Sequence, residues 1–552
     1  MFLNIQAISF GTVIPFILMF VLQASLLSPD ATADEPVPDT HRGFWVFFTD
    51  KAGVQFDPYT FFDQKAIERR LAHNVCLYDS LDYPVRKDYL DSLAVLADQP
   101  TVVSRWLNAA HVYTHPGIAF DLESLDFVKK VQPAGIRLLP AAYHNADTEY
   151  VSVRSRDRAL FIAQKEHMAA HRFTENGFNG EGVRIAVFDA GFRGVKSNKA
   201  FRHLVKNGQI VRTWDFHRNR ENVFAYSIHG TMVLSAIAGI VDDGPLGIAT
   251  GAEFLLARTE IFREPMVEEK YWLAAMEWAD RHGADIINSS LGYVFHRYFP
   301  EQMDGSTSLV AQAAGIAAAK GILVINAAGN MGNNRHWRII VTPADADSVL
   351  TVGALDFPSL IRAGYSSTGP TADGRMKPNV SALGTVVAAT RNRLVTPSGT
   401  SFASPLVTGF AACLWQKFPT YSNMDIFRAI ERSASLFPYY DYAHGFGTPQ
   451  ACYFFDSQAL FVTPTFDLVR GDEYIDIILR EYISMHPDEK SRADRENEYL
   501  YYQIKDAGGG IAQYFVADLE GTNKVRLPVH DFEVDQQLLV HFRGYTAGIV
   551  ID

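Results

Sequence analysis

Four short segments, far apart in the chain, carry residue types that could act together on one bond. The apolar run Arg184-Ile-Ala-Val-Phe188 ends at Asp189-Ala190-Gly191. A carboxylate at the tip of a buried strand can orient a catalytic base; an Asp before a small residue and Gly is also an ordinary strand-ending turn. His229-Gly230-Thr231 stands where a helix of small and apolar residues begins. Its imidazole would face the sheet edge, with Gly230 allowing close approach, or would merely cap the helix. In Ser398-Gly399-Thr400-Ser401-Phe402-Ala403-Ser404-Pro405, Ser401 opens an apolar helix that runs through Trp415. The positive end of the helix dipole then lies beneath it, and its N–H can stabilise an oxyanion. The plainer reading is an N-cap serine. Pro405, tolerated in a helix's first turn, fixes that register. Asn330 follows Ile325-Asn-Ala-Ala-Gly329. Its amide offers two N–H groups to a developing oxyanion, or serves as a turn residue.

The elements that must hold these residues follow from hydrophobic pattern. Between about Ala169 and Tyr442, short apolar strands alternate with longer helices of small residues. The strands are Val183–Phe188, Phe254–Ala257, Asp285–Ser289, Ile322–Asn326 and Val349–Val352; the helices are Gly230–Ile240, Tyr271–His282, Leu309–Lys320 and Ser401–Lys417. Continuous apolar strands are buried on both faces, which predicts an α/β fold: a parallel sheet with helices on both sides. In such sheets reactive groups gather at the C-terminal ends of strands. Before this unit, residues 34–150 read as a small α+β domain, with β-rich Phe44–Phe48, helices over Gln64–His73, Arg86–Ala97 and Leu122–Val131, a strand over Val102–Tyr113 and another over Ile136–Leu139. Residues 151–176 read as a linker and 177–450 as the α/β domain. Residues 451–552 read as a small antiparallel β domain, with strands at Leu460–Val462, Tyr474–Leu479, Tyr499–Ile504, Ala512–Ala517 and Leu538–Phe542.

In chain order the four segments run Asp, His, Asn, Ser. That order and the flanking residues resemble the subtilisin-like serine proteases over roughly Gly177 to Pro449. The resemblance extends to Asp285-Ile-Ile-Asn-Ser-Ser-Leu-Gly292, Pro343-Ala344 with Val349–Ala354, Tyr365-Ser-Ser-Thr-Gly-Pro370 and Lys377-Pro378-Asn379. Tyr271–Gly292, Pro343–Asp347 and Asp373–Pro378 look like secreted subtilases of Bacteroidota-type bacteria. The resemblance implies a serine endopeptidase acting on proteins or peptides. Ser401 would be the nucleophile, His229 the base, Asp189 its orienting carboxylate and Asn330 an oxyanion donor. Ser290, Leu291 and Gly292 would pair with the substrate backbone, and Ala327, Ala328 and Gly329 would form the other wall of the primary pocket. Neither wall carries a charge, so an apolar residue is expected before the cut bond. No cofactor is implied; structural calcium is common in the family, and no ligand set is legible here. Two departures stand out: Ala190 where Ser or Thr is usual, and Thr250 where Pro is common. Residues 34–150 resemble the family's prosegments, which implies an intramolecular inhibitor, removed by a self-cut between about Tyr150 and Gly177; the alternative is a permanent domain with a stable helix over Ala159–Phe173. Two other classes compete: a catalytically silent module with this fold, and an esterase. The Gly-x-Ser-x-Gly elbow of the latter is missing around Ser401.

Composition bounds the rest. The chain has 552 residues, 48% of them hydrophobic, and 50 basic against 62 acidic side chains for a net charge of −12. An acidic balance argues against nucleic acid as a partner. The three cysteines are too few for a disulfide scaffold and share no metal-ligand spacing. No charged side chain occurs from Phe2 to Pro29, Ala7–Leu27 is mostly apolar, and Ala31-Thr32-Ala33 forms a small-residue cleavage pattern. Residues 1–33 therefore read as a signal peptide, which predicts a secreted, periplasmic or cell-surface protein. The stretch is also long enough to span a bilayer. An uncleaved anchor, the one route to a membrane, is the alternative.

Overall fold

The computed structural model describes residues 41–134, 157–261, 268–294, 297–456, 463–480, 499–519 and 522–551. The expected signal segment, the Ile136–Leu139 strand and the Leu460–Val462 strand lie outside them.

The N-terminal unit is a four-stranded antiparallel sheet of order β2-β3-β1-β4. Its strands are β1 (Arg42–Phe48), β2 (Val102–Ser104), β3 (Ala109–Thr114) and β4 (Val128–Pro133), with helices α1 (Pro58–Phe61), α2 (Gln64–Ala72), α3 (Lys87–Leu96) and α4 (Pro116–Leu122). The run Phe44-Trp-Val-Phe-Phe48 is apolar throughout because both faces of β1 are covered. By the two-residue period of a strand, Phe44, Val46 and Phe48 pack under Tyr89, Leu93 and Leu122. Trp45 and Phe47 point the other way, into a core with Trp272 and Met276 of the next domain. Two expectations are corrected here. Val102–Tyr113 is not one strand but a hairpin, turning at Asn108, whose φ of 47° is one Asn tolerates. Leu122–Val131 is not a helix: Pro116 starts α4 earlier, at its first position, and Val128–Pro133 pairs with β1.

The central domain is built on a seven-stranded parallel sheet of order β13-β12-β11-β10-β5-β9-β6. Its strands are β5 (Arg184–Asp189), β6 (Ile210–Asp215), β9 (Glu253–Arg258), β10 (Ile286–Ser289), β11 (Leu323–Ala327), β12 (Val349–Leu355) and β13 (Val380–Leu383). Two hairpins, β7 (Ile240–Val241) with β8 (Gly244–Pro245) and β14 (Ala388–Ala389) with β15 (Leu394–Val395), decorate it. Helices α5 (Asp157–Glu166), α6 (His171–Glu175), α7 (Arg202–Lys206), α8 (His229–Ala238), α9 (Glu268–Arg281), α10 (Leu309–Ala319), α11 (Thr400–Lys417) and α12 (Asn423–Arg432) flank the sheet. The α/β expectation holds. Edge strand β6 and the short β13 escaped the pattern, because neither reads as a long apolar run.

From Asp157 onward the segment expected as a linker over 151–176 instead forms α5 and α6, close to the helix expected over Ala159–Phe173 as the alternative. Leu160 and Phe173 lie in the main core of the central domain. Gln164 donates to Leu246 O at 2.8 Å and accepts from Val387 N–H at 2.8 Å. Burial holds His167 down to about 4, so its neutral Nε2 accepts from Leu383 N–H at 3.2 Å. The far end of the domain closes on this segment. Ala451 N–H donates to Met168 O at 2.9 Å, Gln450 Nε2 to His167 O at 2.9 Å, and Arg172 pairs with Asp456 at 2.5 Å.

The C-terminal domain is antiparallel, as expected. Strands β16 (Phe466–Arg470), β17 (Tyr474–Leu479) and β20 (Lys524–Pro528) form one sheet; β18 (Tyr499–Lys505), β19 (Ile511–Asp518), β21 (Gln537–Phe542) and β22 (Tyr545–Val550) form the other. Tyr501 and His541 pack at a tilt against Tyr439 of the central domain, with ring centroids 6.1 and 5.9 Å away.

The N-terminal unit is also held by buried charge. Asp280 of α9 binds Arg69 and, at 2.5 Å, Arg70. Arg70 continues to Asp82 at 2.7 Å, and Lys320, just past α10, binds Asp79 at 2.6 Å and Asp82 at 2.9 Å. Glu277 accepts from Ser104 Oγ at 2.6 Å and from the Arg105 and Trp106 N–H groups at 3.1 and 3.2 Å. Removing one member of such a network strands its partners without water. Asp280→Ala should therefore lower the stability of the unprocessed chain by about 3–5 kcal/mol, read as a shifted urea midpoint in a Ser401→Ala background.

Candidate active site

Sheet register gathers the sequence-predicted residues at one edge. Asp189 ends β5, Ser290 follows β10 and Asn330 comes three residues past the end of β11; these strands are adjacent and parallel. Asp189 is fully buried, and its carboxylate faces His229 Nδ1, with Oδ2 at 2.9 Å and Oδ1 at 3.0 Å. His229 is the first residue of α8. Gly230 is required there: a Cβ would sit 2.6 Å from Gly191 O and 2.9 Å from Asp189 Cβ. Burial disfavours the imidazolium, but the charge and hydrogen bond of Asp189 outweigh it, so the His229 pKa is raised. Ala190, the departure beside Asp189, donates its N–H to Asp189 Oδ1 at 2.7 Å, and Arg258 Nε donates to Ala190 O at 3.1 Å. The turn therefore needs no hydroxyl at position 190.

Ser401 is the second residue of α11, so its N–H has no acceptor within the helix. Its hydroxyl donates to Ser290 O at 3.1 Å. Asn330 Oδ1 accepts from Thr400 N–H at 3.0 Å and Thr400 Oγ1 at 2.9 Å. Those donors fix the amide's orientation, because only the oxygen can accept them; Nδ2 is left for another acceptor. The Phe402 ring lies 5.5 Å from the His229 ring.

Several contributors escaped sequence reasoning. Pro405 is the sixth residue of α11, not in its first turn. It lacks the N–H that would bond Ser401 O four residues back. Ser290 Oγ donates to that oxygen instead, at 2.9 Å. Asn288 on β10 accepts from Ser404 Oγ at 3.0 Å and Thr408 Oγ1 at 2.9 Å, pinning α11 to the sheet. The run Asn288-Ser-Ser290 and the polar Ser404 and Thr408 on an apolar helix are the signals that could have revealed this.

The remaining candidates border the same place. Asn326 Nδ2 donates to Leu291 O at 3.0 Å, joining the segment Ser290–Gly292 to Ala327–Gly329. Ala328 N–H is committed to Val352 O at 2.9 Å. Among the described residues, no cluster of three or more His, Cys, Asp or Glu side chains could hold a metal ion.

The comparisons with known proteins point to one family. A model described as the subtilase family matches residues 180–449, and one described as the Peptidase S8 propeptide domain of Bacteroidota matches residues 43–149. The chain is 31% identical over 267 residues to subtilisin DY of Bacillus licheniformis, covering 48% of this chain and 88% of that protein. It is 30% identical over 276 residues to a subtilisin of Bacillus pumilus, covering 50% of this chain and 90% of the relative. Subtilisin E of Bacillus subtilis (strain 168) is 28% identical over 313 residues, covering 53% of this chain and 75% of that protein. With a propeptide domain ahead of a parallel-sheet body that matches subtilisins over most of their length, this chain belongs to the subtilase family and is a subtilisin-like serine endopeptidase.

Proposed function

We propose that Asp189, His229 and Ser401 form the catalytic triad of an exported endopeptidase and that Asn330 completes its oxyanion hole. The observation that carries this reading is the buried Asp189 carboxylate 2.9 Å from His229 Nδ1, at the sheet edge where α11 begins. Ser401 Oγ attacks the peptide carbonyl carbon and gives its proton to His229 Nε2. The Nδ1–H of His229 keeps donating to the Asp189 carboxylate, which stabilises the imidazolium. The oxyanion takes hydrogen bonds from Asn330 Nδ2 and Ser401 N–H. His229 then protonates the leaving amine, and an acyl-enzyme remains on Ser401. Water, deprotonated by His229, attacks the ester; the Ser401 Oγ–acyl bond breaks, the acid leaves, and His229 returns the proton to Ser401 Oγ. The hydroxyl rests on Ser290 O; turning about Cα–Cβ moves it to another staggered position, and such hydrogen bonds commonly align only with substrate bound.

The prosegment reading is that residues 34–150 inhibit the enzyme until it cuts itself. Upstream, the chain is bound into a sheet as far as Pro133; downstream, α5 is buried in the catalytic core. The cut therefore falls between Ala134 and Asp157. Tethering gives that segment a high effective concentration at its own active site. Export rests on the apolar leader; among the described residues no helix is long and apolar enough to cross a membrane.

Wild type expressed without the leader should lose mass up to a cut within residues 135–156, label with a fluorophosphonate and digest casein. Ser401→Ala should keep its full mass and take no label; equal full-length masses in active protein would make the N-terminal unit permanent. Asn330→Ala should lower kcat by about 100- to 1000-fold with folding retained. Because Asp189 raises the His229 pKa and the base must be neutral, kcat/KM should rise with pH through a midpoint above the ordinary histidine value of about 6.5. A midpoint below that value would contradict the assignment.

A further inference from the structure

The acyl-side residue of the substrate places its Cα one bond from the carbonyl carbon under attack. Its side chain must therefore enter between the chain segments that flank Ser401 and Asn330. One is Ser290–Gly292, bound to Ser401 through both its hydroxyl and its carbonyl oxygen. The other is Ala327–Gly329, which runs directly into Asn330. These segments leave neighbouring strands, β10 and β11, after the last paired residues Ser289 and Asn326. Paired strands about 4.8 Å apart leave no room for a side chain between them. A pocket exists only where the segments part, between Gly292 and Gly329, and that space is occupied.

Val341 fills it. A Cβ added at Gly292 would overlap Val341 Cγ2, and one added at Gly329 would sit 2.6 Å from Val341 Cγ1 and 2.9 Å from Ser367 Oγ. Gly292 is exposed and Gly329 half-buried, whereas Val341 behind them is only 2% exposed. The Val341 backbone is held on both sides. Its N–H donates to Ala328 O at 3.2 Å on one wall, and the adjoining Thr342 O accepts from Tyr293 N–H at 2.9 Å on the other. The backbone that carries the isopropyl group is thus stitched to both walls, which sets that group as a floor just below the rim.

We infer that Val341 sets the specificity of this peptidase, making the primary pocket shallow and directing cleavage to bonds that follow small, uncharged residues such as alanine. The inference rests on the catalytic assignment of Ser401 and Asn330 and narrows the apolar preference expected from the uncharged walls. Leucine or phenylalanine would need space that Val341 Cγ1 and Cγ2 hold. A single methylene in an apolar pocket is typically worth about 10- to 200-fold in kcat/KM, so two blocking methyl groups suffice for strong exclusion.

The test uses the protein expressed as the full chain and allowed to process itself, with two fluorogenic peptides that differ only in alanine or phenylalanine before the cut bond. Wild type should favour alanine by at least ~10-fold in kcat/KM. Val341→Gly should shift the phenylalanine-to-alanine ratio upward by at least ~10-fold. Val341→Ala, which keeps the Cβ and covers the case in which the glycine variant does not fold, should fall between. Wild type that prefers phenylalanine, or variants that take the fluorophosphonate label at Ser401 with the ratio unmoved, would overturn the role of Val341. Wild type that neither cuts nor labels at Ser401 would overturn the catalytic assignment itself, and this inference with it.

Discussion

The working geometry of this enzyme depends on how one helix end is fastened to one strand end. Ser401 and Ser290 exchange hydrogen bonds in both directions, and Asn288 holds Ser404 and Thr408 one and two turns further along α11. Pro405 makes the exchange available by leaving Ser401 O without its helical donor. A buried carbonyl without a partner is costly, so Ser290 is drawn to it. The helix start, Ser401 and the segment Ser290–Gly292 are thereby fixed to each other before any substrate arrives. Asn330 is fixed by the same helix through Thr400, so one element positions both the proposed attacking oxygen and the proposed oxyanion donor. Such prior organisation is what makes electrostatic catalysis effective, because no dipole has to turn during the reaction.

The second constraint is the face that α9 and α10 present to the N-terminal unit. It combines an apolar core with fully buried charges. Buried ion pairs add little net stability over an apolar contact, but they are unforgiving of misalignment. Asp280 and Lys320 each bind two groups of the N-terminal unit, and Glu277 takes three donors from one hairpin. The arrangement selects one docking geometry, and the apolar residues Trp45, Phe47 and Trp106 supply the adhesion.

Much of this was legible in sequence. The inner strands of the sheet are short, mostly apolar runs with no polar alternation, and the four candidate segments each abut one of those runs or a small-residue helix. The illegible parts have physical causes. Strand β6 lies at the sheet edge and carries Arg212 and Thr213, so it lacks the signature of burial on both sides. Helix α5 carries Arg158, Lys165 and Glu166, so the sequence left linker and stable helix both open for a segment whose Leu160 and Gln164 are buried. Val128–Pro133 is ambiguous in sequence because its Lys-Lys pair fits a helix surface as well as an edge strand. Val341 gave no signal at all: its role comes from packing between two glycines some fifty and twelve positions away in sequence, a relation no local pattern encodes.

The clasp between residues 167–172 and 450–456 has a consequence for the life of a protease among copies of itself. Chain ends that fray are where proteolysis begins. Here the start and finish of the catalytic body are knotted together by backbone, amide and ionic bonds, with Phe173 against Phe455 at 5.6 Å. Loss of the N-terminal unit would leave a new terminus, yet one already seated in the core a few residues on. Loss of the C-terminal domain would leave another, held by the same knot. Either appendage can be shed without giving a neighbouring copy a loose thread to pull, and topologically the body behaves as a closed loop.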